Sequence, residues 1–154
     1  MSAVQNLPLP RPRPMTESDL AQVIKVEQAS YEFPWSLGIF RDCMRVGYHC
    51  YVLEGPSGIV GHGIMSIAVG ECHLLNICVH PDWQNRGYGR RIVEFLLDVA
   101  RQKRVRTALL EVRVSNKIAQ KLYNDLGFNE VGMRHHYYPG RAGREDAIIL
   151  AREL

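Results

Sequence analysis

A chain of 154 residues is long enough for one domain with a sizeable buried core, and too short for several. Its 46% hydrophobic and 23% charged residues are those of a soluble globular protein, and a net charge of +3 does not demand a nucleic-acid partner. No apolar run is long enough for a bilayer and no apolar signal core stands at the N-terminus, so neither a membrane partner nor export is expected.

Cys43, Cys50, Cys72 and Cys78 lack zinc-ribbon spacing, and the six histidines lack helical ligand spacing. The expectation is reduced, core or half-buried thiols, no metal, and a cytoplasmic location. Residues 1–12 are rich in proline and arginine and are expected to be a disordered tail. The domain then runs over 13–154, and the last residues before Met15 suit an edge strand. Thr16 is a good N-cap for a helix that reaches Ser30, with Glu17 and Asp19 in its first turn. Tyr31, Glu32, Phe33 and Trp35 form a short aromatic loop. Ser36 caps a second helix, with Trp35 and Phe40 placed as a hydrophobic staple.

Strands are predicted at Tyr48–Glu54 and Ile59–Val69, joined by the turn Gly55-Pro56-Ser57-Gly58, and at Cys72–Val79. A loop at Gln84–Arg90 leads into a helix ending near Lys103, whose Ile92, Phe95, Leu96, Val99 and Ala100 recur at helical spacing. Thr107–Val112 is strand-like. Asn116 caps a shorter helix with an apolar face of Ile118, Ala119, Leu122 and Tyr123, and Gly127 stops it. Strands near Phe128–Tyr137 and Glu145–Ala151 close the chain. The fold class is α/β: a single mixed, mostly antiparallel sheet of about seven strands flanked by about four helices.

The loop Gln84-Asn85-Arg86-Gly87-Tyr88-Gly89-Arg90 joins a buried strand to a helix N-terminus. Free amides, the helix dipole, two glycines and nearby Arg86, Arg90 and Arg91 suit a phosphate or another anion. By itself the pattern is equally an ordinary strand–helix turn. It is not a P-loop, because no Lys-Ser/Thr follows, and not a dinucleotide fingerprint, because Ile92 stands where the third glycine belongs.

What remains, Gln-x-x-Gly-x-Gly after a late strand and before an amphipathic helix, resembles the acetyl-CoA loop of the GNAT N-acetyltransferase superfamily. The resemblance extends from about Arg13 to the C-terminus, through Thr16–Leu20, Leu109–Asn116, Ala119, Leu122-Tyr123 and Leu126-Gly127-Phe128. Phe33-Pro34-Trp35-Ser36, Leu75-Asn76-Ile77, Glu111-Val112-Arg113, Asn129-Glu130, Tyr137-Tyr138-Pro139 and Gly143–Ala147 resemble the RimI-type ribosomal-protein alanine N-acetyltransferases within it. The departures are the Pro/Arg tail, Arg86, and the insert-like Pro139–Ala142.

The resemblance implies that acetyl-CoA, as co-substrate, lies against Ile77-Cys78-Val79. Its pyrophosphate would rest on the Gln84–Arg90 loop (Gln84, Asn85, Arg86, Gly87, Tyr88, Gly89, Arg90), and Asn116 would complete the site. It marks Glu111 as general base and Tyr123 as general acid, with direct attack and no acyl-enzyme. By residue type alone, a glutamate at a strand end is usually solvated, and a tyrosine beside Ile118, Ala119 and Leu122 is usually core. The implied acceptor is a protein N-terminus, alanine on a small-subunit ribosomal protein. An α-amine titrating near ~8 costs only about 1 kcal/mol to neutralise at pH 7, against about 4–5 kcal/mol for a lysine near ~10.4. Tyr31, Glu32, Phe33, Trp35, Tyr137 and Tyr138 are the candidate acceptor wall, with Glu32 or Asp146 to hold the ammonium. A lysine, polyamine or small-molecule amine as acceptor, and a non-catalytic CoA-binding module, stay open as rivals.

Overall fold

The computed structural model describes residues 10–154. The predicted tail therefore lies mostly outside the described residues. Its last part is not loose: the Pro10 carbonyl accepts Arg91 Nε at 3.3 Å, and Arg11 stacks over Phe95 at 5.4 Å. Strand β1, Arg13–Pro14, then pairs with the edge of the sheet. Proline suits that edge because it has no N–H to donate.

A single turn of 3-10 helix at Glu17–Asp19 precedes α1, Leu20–Ser30. Asp19 Oδ2 reaches back to the Thr16 N–H at 2.7 Å and locks that start. Helix α2 spans Leu37–Arg45, and Ser36 Oγ accepts the Ile39 N–H at 3.3 Å as its cap. Trp35 and Phe40 meet with ring centroids 5.4 Å apart, as the staple requires. Strands β2, His49–Gly55, and β3, Gly58–Ala68, form the expected hairpin, and β4 is Glu71–Val79. Helix α3, Tyr88–Gln102, β5, Thr107–Arg113, and α4, Lys117–Asp125, follow. Strands β6, Asn129–Tyr138, and β7, Glu145–Glu153, end the chain.

The seven strands make one sheet in the order β1-β2-β3-β4-β5-β7-β6, and only the β4–β5 pair is parallel. Helices α1 and α2 cover one face through Leu20, Val23, Phe40 and Cys43. Helices α3 and α4 cover the other through Ile92, Val93, Leu96, Leu97, Ala100 and Tyr123. Val93 and Leu97 are more deeply buried than the predicted Phe95 and Val99, which sit at the margin of the stripe. Ile118 departs from expectation more plainly. It is 79% exposed, because the face of α4 that meets the sheet is centred on Ala119, Leu122 and Tyr123. All four cysteines are free and buried. Among the described residues, no helix is long and apolar enough to cross a membrane.

Two local features shape the centre of the sheet. The β3–β4 register slips by one residue, so that Ile64 faces Asn76 and Met65 faces Leu74, leaving Leu75 as a β-bulge. The bulge reverses which residues face which side. Cys72 and Leu74 join the core under α3, whereas Asn76 and Cys78 point to α1. At the same level β4 and β5 part. Their pairing runs from Glu71↔Thr107 to Leu74↔Leu110 and stops, although β4 continues to Val79 and β5 to Arg113.

Candidate active site

Beyond Leu74 and Leu110 the two parallel strands splay, and the gap between them opens into a cleft of about 810 Å³. Leu75–Ile77 line one side and Glu111–Arg113 the other. Asn116, Ala119 and Tyr123 of α4 form a further wall. The 31–35 loop and the 138–141 turn close over it through Tyr31, Glu32, Phe33, Trp35, Tyr138 and Arg141.

The Glu111 side chain is only 9% exposed and is gripped at both oxygens. His73 Nε2 sits on Oε2, and Arg134 Nε donates to Oε1 at 3.2 Å, reaching across β7. Burial pushes the carboxyl up. The hydrogen bond and charge of His73, with the charge of Arg134, outweigh burial and hold Glu111 below its ordinary value. It is therefore a carboxylate at neutral pH. Tyr123 is 8% exposed, with its ring packed on Phe128 at 5.8 Å. Burial, helped by Tyr138, raises its phenol, so Tyr123 keeps its proton. Glu111 and Tyr123, 12 positions apart in sequence, thus stand in one cleft as a carboxylate and a proton-bearing phenol.

The acceptor wall is braced. Arg113 stacks over Phe33 at 5.4 Å and Tyr138 at 4.5 Å, and Arg141 pairs with Glu32 to tie the turn to the loop. The Tyr31 hydroxyl donates to the Ile77 carbonyl at 2.6 Å. Beneath the loop lies a buried polar knot. Glu27, 1% exposed, accepts the Trp35 N–H at 3.0 Å and Asn76 Nδ2 at 3.1 Å, and lies 2.9 Å from His62 Nε2. Glu27, His62 and Cys78 place one donor atom each within 4.8 Å of one another, but the first two already satisfy each other.

Not every candidate joins the cleft. Tyr137 meets Tyr138 edge-to-face, with ring centroids 4.8 Å apart, lies under Arg134 and stays outside. Asp146 accepts the His136 N–H at 2.9 Å and so fastens the β6 irregularity instead of facing an acceptor. Of the three strand residues assigned to acetyl-CoA, Ile77 alone lines the cleft. Cys78 turns to α1, where burial pushes its thiol up to about 12, too high for a nucleophile. Val79 gives its carbonyl to Gln84 Nε2 at 3.0 Å, which anchors the loop to the strand.

The Gln84–Arg90 loop lies past the end of β4. Asn85 (φ 62°) and Gly87 (φ 84°) are left-handed, and the first α3 bond is Arg91 N–H to Gly87 at 3.0 Å. The amides of residues 88–90 therefore have no intrahelical acceptor. Such a turn followed by a helix N-terminus fits a pyrophosphate. Arg86 and Arg90 do not point freely at that site. Arg86 stacks on Trp83 at 4.8 Å, and Arg90 pairs with Glu94 at 2.8 Å. Asn116 Oδ1 caps α4 by accepting the Ala119 N–H at 3.1 Å. His73, Arg134, Glu27 and Arg141 were invisible to sequence reasoning. Each meets its partner only through the strand order or across a loop.

A mixed sheet splayed between two parallel strands, with a left-handed turn and a helix N-terminus past the end of one and a carboxylate and phenol in the gap, is an arrangement suited to group transfer. Residues 16–128 match the Acetyltransferase (GNAT) family, and the chain belongs to it. The [Ribosomal protein bS18]-alanine N-acetyltransferase of Escherichia coli (strain K12) is 40% identical over 134 residues, covering 87% of this chain and 90% of that one. The crystal structure of the ribosomal-protein-S18-alanine N-acetyltransferase from Escherichia coli superposes with a TM-score of 0.86 at 38% identity, covering 92% of each chain. A GNAT superfamily phosphinothricin acetyltransferase from Sinorhizobium meliloti, solved in complex with AcCoA, shares the fold at a TM-score of 0.80 and 16% identity, covering 96% and 89%.

Proposed function

We propose that this enzyme moves the acetyl group of acetyl-CoA to the α-amine of a protein N-terminus. The acceptor is an alanine of a ribosomal protein, as the name of the E. coli relative states for bS18. The observation that carries the reaction is Glu111 and Tyr123 facing one cleft at the point where β4 and β5 part. The α3 amides and the Gln84–Arg90 turn hold the pyrophosphate of acetyl-CoA, which supplies the activated acetyl group. Glu111 takes the proton of the acceptor ammonium, directly or through water. The neutral amine attacks the thioester carbonyl, the C–S bond breaks as Tyr123 gives its hydroxyl proton to the departing thiolate, and the second proton of the attacking nitrogen passes to the Tyr123 phenolate through water, leaving a neutral amide and a restored phenol. The high thiol of Cys78 agrees with direct attack.

The state of Glu111 also bears on the acceptor. A carboxylate held below its ordinary value is a weak base. It suffices for an α-amine, already about a tenth neutral at pH 7, and is badly matched to a lysine. The aromatic wall of Phe33, Trp35 and Tyr138 suits an extended peptide end. Buried thiols and a ribosomal acceptor go with the cytoplasm.

The test is acetyl-CoA turnover with an Ala-started ribosomal-protein peptide and with its N-blocked, lysine-bearing twin. Only the first should react. Glu111→Gln and Tyr123→Phe should each lower kcat by about 10²-fold or more with acetyl-CoA affinity kept. Equal use of the blocked peptide would overturn the acceptor assignment, and a fully active Glu111→Gln would overturn the base.

A further inference from the structure

The sequence marks Glu111 but says nothing of what stands behind it. Glu111 is the first β5 residue beyond the last parallel pair, Leu74↔Leu110, and His73 precedes that pair on β4. The strand order thus delivers the imidazole to the carboxylate from the side away from the cleft. His73 does not line the cleft, while Glu111 does. We propose that His73 is a positioning residue for the acetyl transfer, seating the Glu111 carboxylate from β4 through the contact of its Nε2 with Oε2.

The proposal rests on Glu111 being the base. Its geometric support is the two-sided grip: His73 Nε2 on Oε2, Arg134 Nε on Oε1. With both oxygens held, the carboxylate has one orientation in the cleft and little rotamer freedom to lose. The groups that face it are few. Arg134 approaches from β6, and Tyr138, also on β6, carries a phenol that burial raises. The register partners of His73 are Ser66 of β3 and Leu109 of β5. The His73 side chain is 32% exposed and that of Glu111 only 9%.

The consequence is orientational. A neutral N–H donor at position 73 keeps the carboxylate seated, and a side chain without one leaves Oε2 free to turn.

The experiment measures kcat and KM with an Ala-started peptide for wild type, His73→Gln, His73→Ala and Glu111→Gln. His73→Ala, which removes the donor, should lower kcat about tenfold or more with peptide KM little changed. His73→Gln keeps a neutral N–H donor and should recover kcat to within about threefold of wild type. A His73→Ala with wild-type kcat, or a His73→Gln as impaired as His73→Ala, would sink the role of His73 while leaving Glu111 as base. Undiminished turnover of Glu111→Gln would instead sink the base itself. Should the His73 variants fail to fold, the 15N NMR shift of His73 Nε2 in wild type and Glu111→Gln decides. It must move when the carboxylate is lost, and an unmoved shift overturns the contact.

Discussion

Glu27 shows how one buried side chain can set the shape of a site it does not serve chemically. Its carboxylate holds three donors from three elements: the Trp35 N–H of the aromatic loop, Asn76 Nδ2 of β4 and His62 of β3. At 1% exposure no water replaces it, so removing it orphans all three. The cost of an unsatisfied buried donor is about 1–3 kcal/mol each, and the losses within one network are not additive. Glu27→Ala should therefore cost roughly 3–5 kcal/mol in denaturant unfolding, and Glu27→Gln clearly less, because the amide oxygen keeps one acceptor. The loop it fixes carries Phe33 and Trp35, so peptide KM should rise more than acetyl-CoA KM in the glutamine variant. An alanine variant as stable as wild type would show that the knot is not what holds the loop.

The elements of the fold are written locally, and the site is not. Ser36 and Asn116 announce helix starts, the Gly55–Gly58 turn announces a hairpin, and the period of Ile92, Leu96 and Ala100 announces the buried stripe of α3; all of these depend on neighbours within a few residues. The bulge at Leu75 has no such signal. Strict alternation along Cys72–Val79 would put Asn76 and Cys78 on the α3 face, and the one-residue slip sends them to α1. For the same reason the partners of Glu111 were illegible. His73 is 38 residues away and becomes a neighbour only through the parallel pairing of β4 and β5. That Glu111 and Tyr123 share one cleft was legible through family resemblance, not through spacing. One element-scale constraint was also hidden. A Cβ on Gly63 of β3 would stand 2.7 Å from Ile92 Cγ2 and 3.0 Å from Leu96 Cδ1, so α3 rides directly on the bare strand. Gly63→Ala forces α3 outward or its side chains off-rotamer, at about 1–3 kcal/mol. The displacement would carry the helix N-terminus with it, so a lower midpoint of unfolding should come with weaker acetyl-CoA binding. Calorimetric binding of acetyl-CoA unchanged in a destabilised Gly63→Ala would separate the packing of α3 from the Gln84–Arg90 turn.

Across the whole molecule, the sheet edge at β1 is closed by charge. Arg13 donates to both oxygens of Asp19 at 2.9 Å, and its Nε meets Glu54 of β2. One guanidinium so ties the start of the domain to the foot of α1 and to the hairpin. The Arg13 hydrogen bond outweighs burial and, with the bonds from Thr16, lowers the Asp19 carboxyl to about 2. The unfolded chain binds that proton more readily, with an ordinary value near ~3.9. A group depressed on folding contributes stability that is fully present above its unfolded value and is lost as the pH falls through its folded value. Asp19 should therefore contribute roughly 2 kcal/mol at neutral pH, fading between about pH 4 and pH 2. Glu111 and Glu145 are lowered in the same direction, so the whole molecule should unfold on acidification as these carboxylates take up protons. Asp19→Asn removes one of them. At pH 7 its melting temperature should fall by about 4–8 °C for a chain of this size, and the gap to wild type should narrow as the pH falls below about 4 and close toward pH 2. Melting curves for the two proteins between pH 2.5 and 7 give the comparison directly. If the curves stay parallel across that range, the Arg13–Asp19 clasp carries no linkage, and the acid sensitivity must be sought at the cleft, where Glu111 is held by His73 and Arg134.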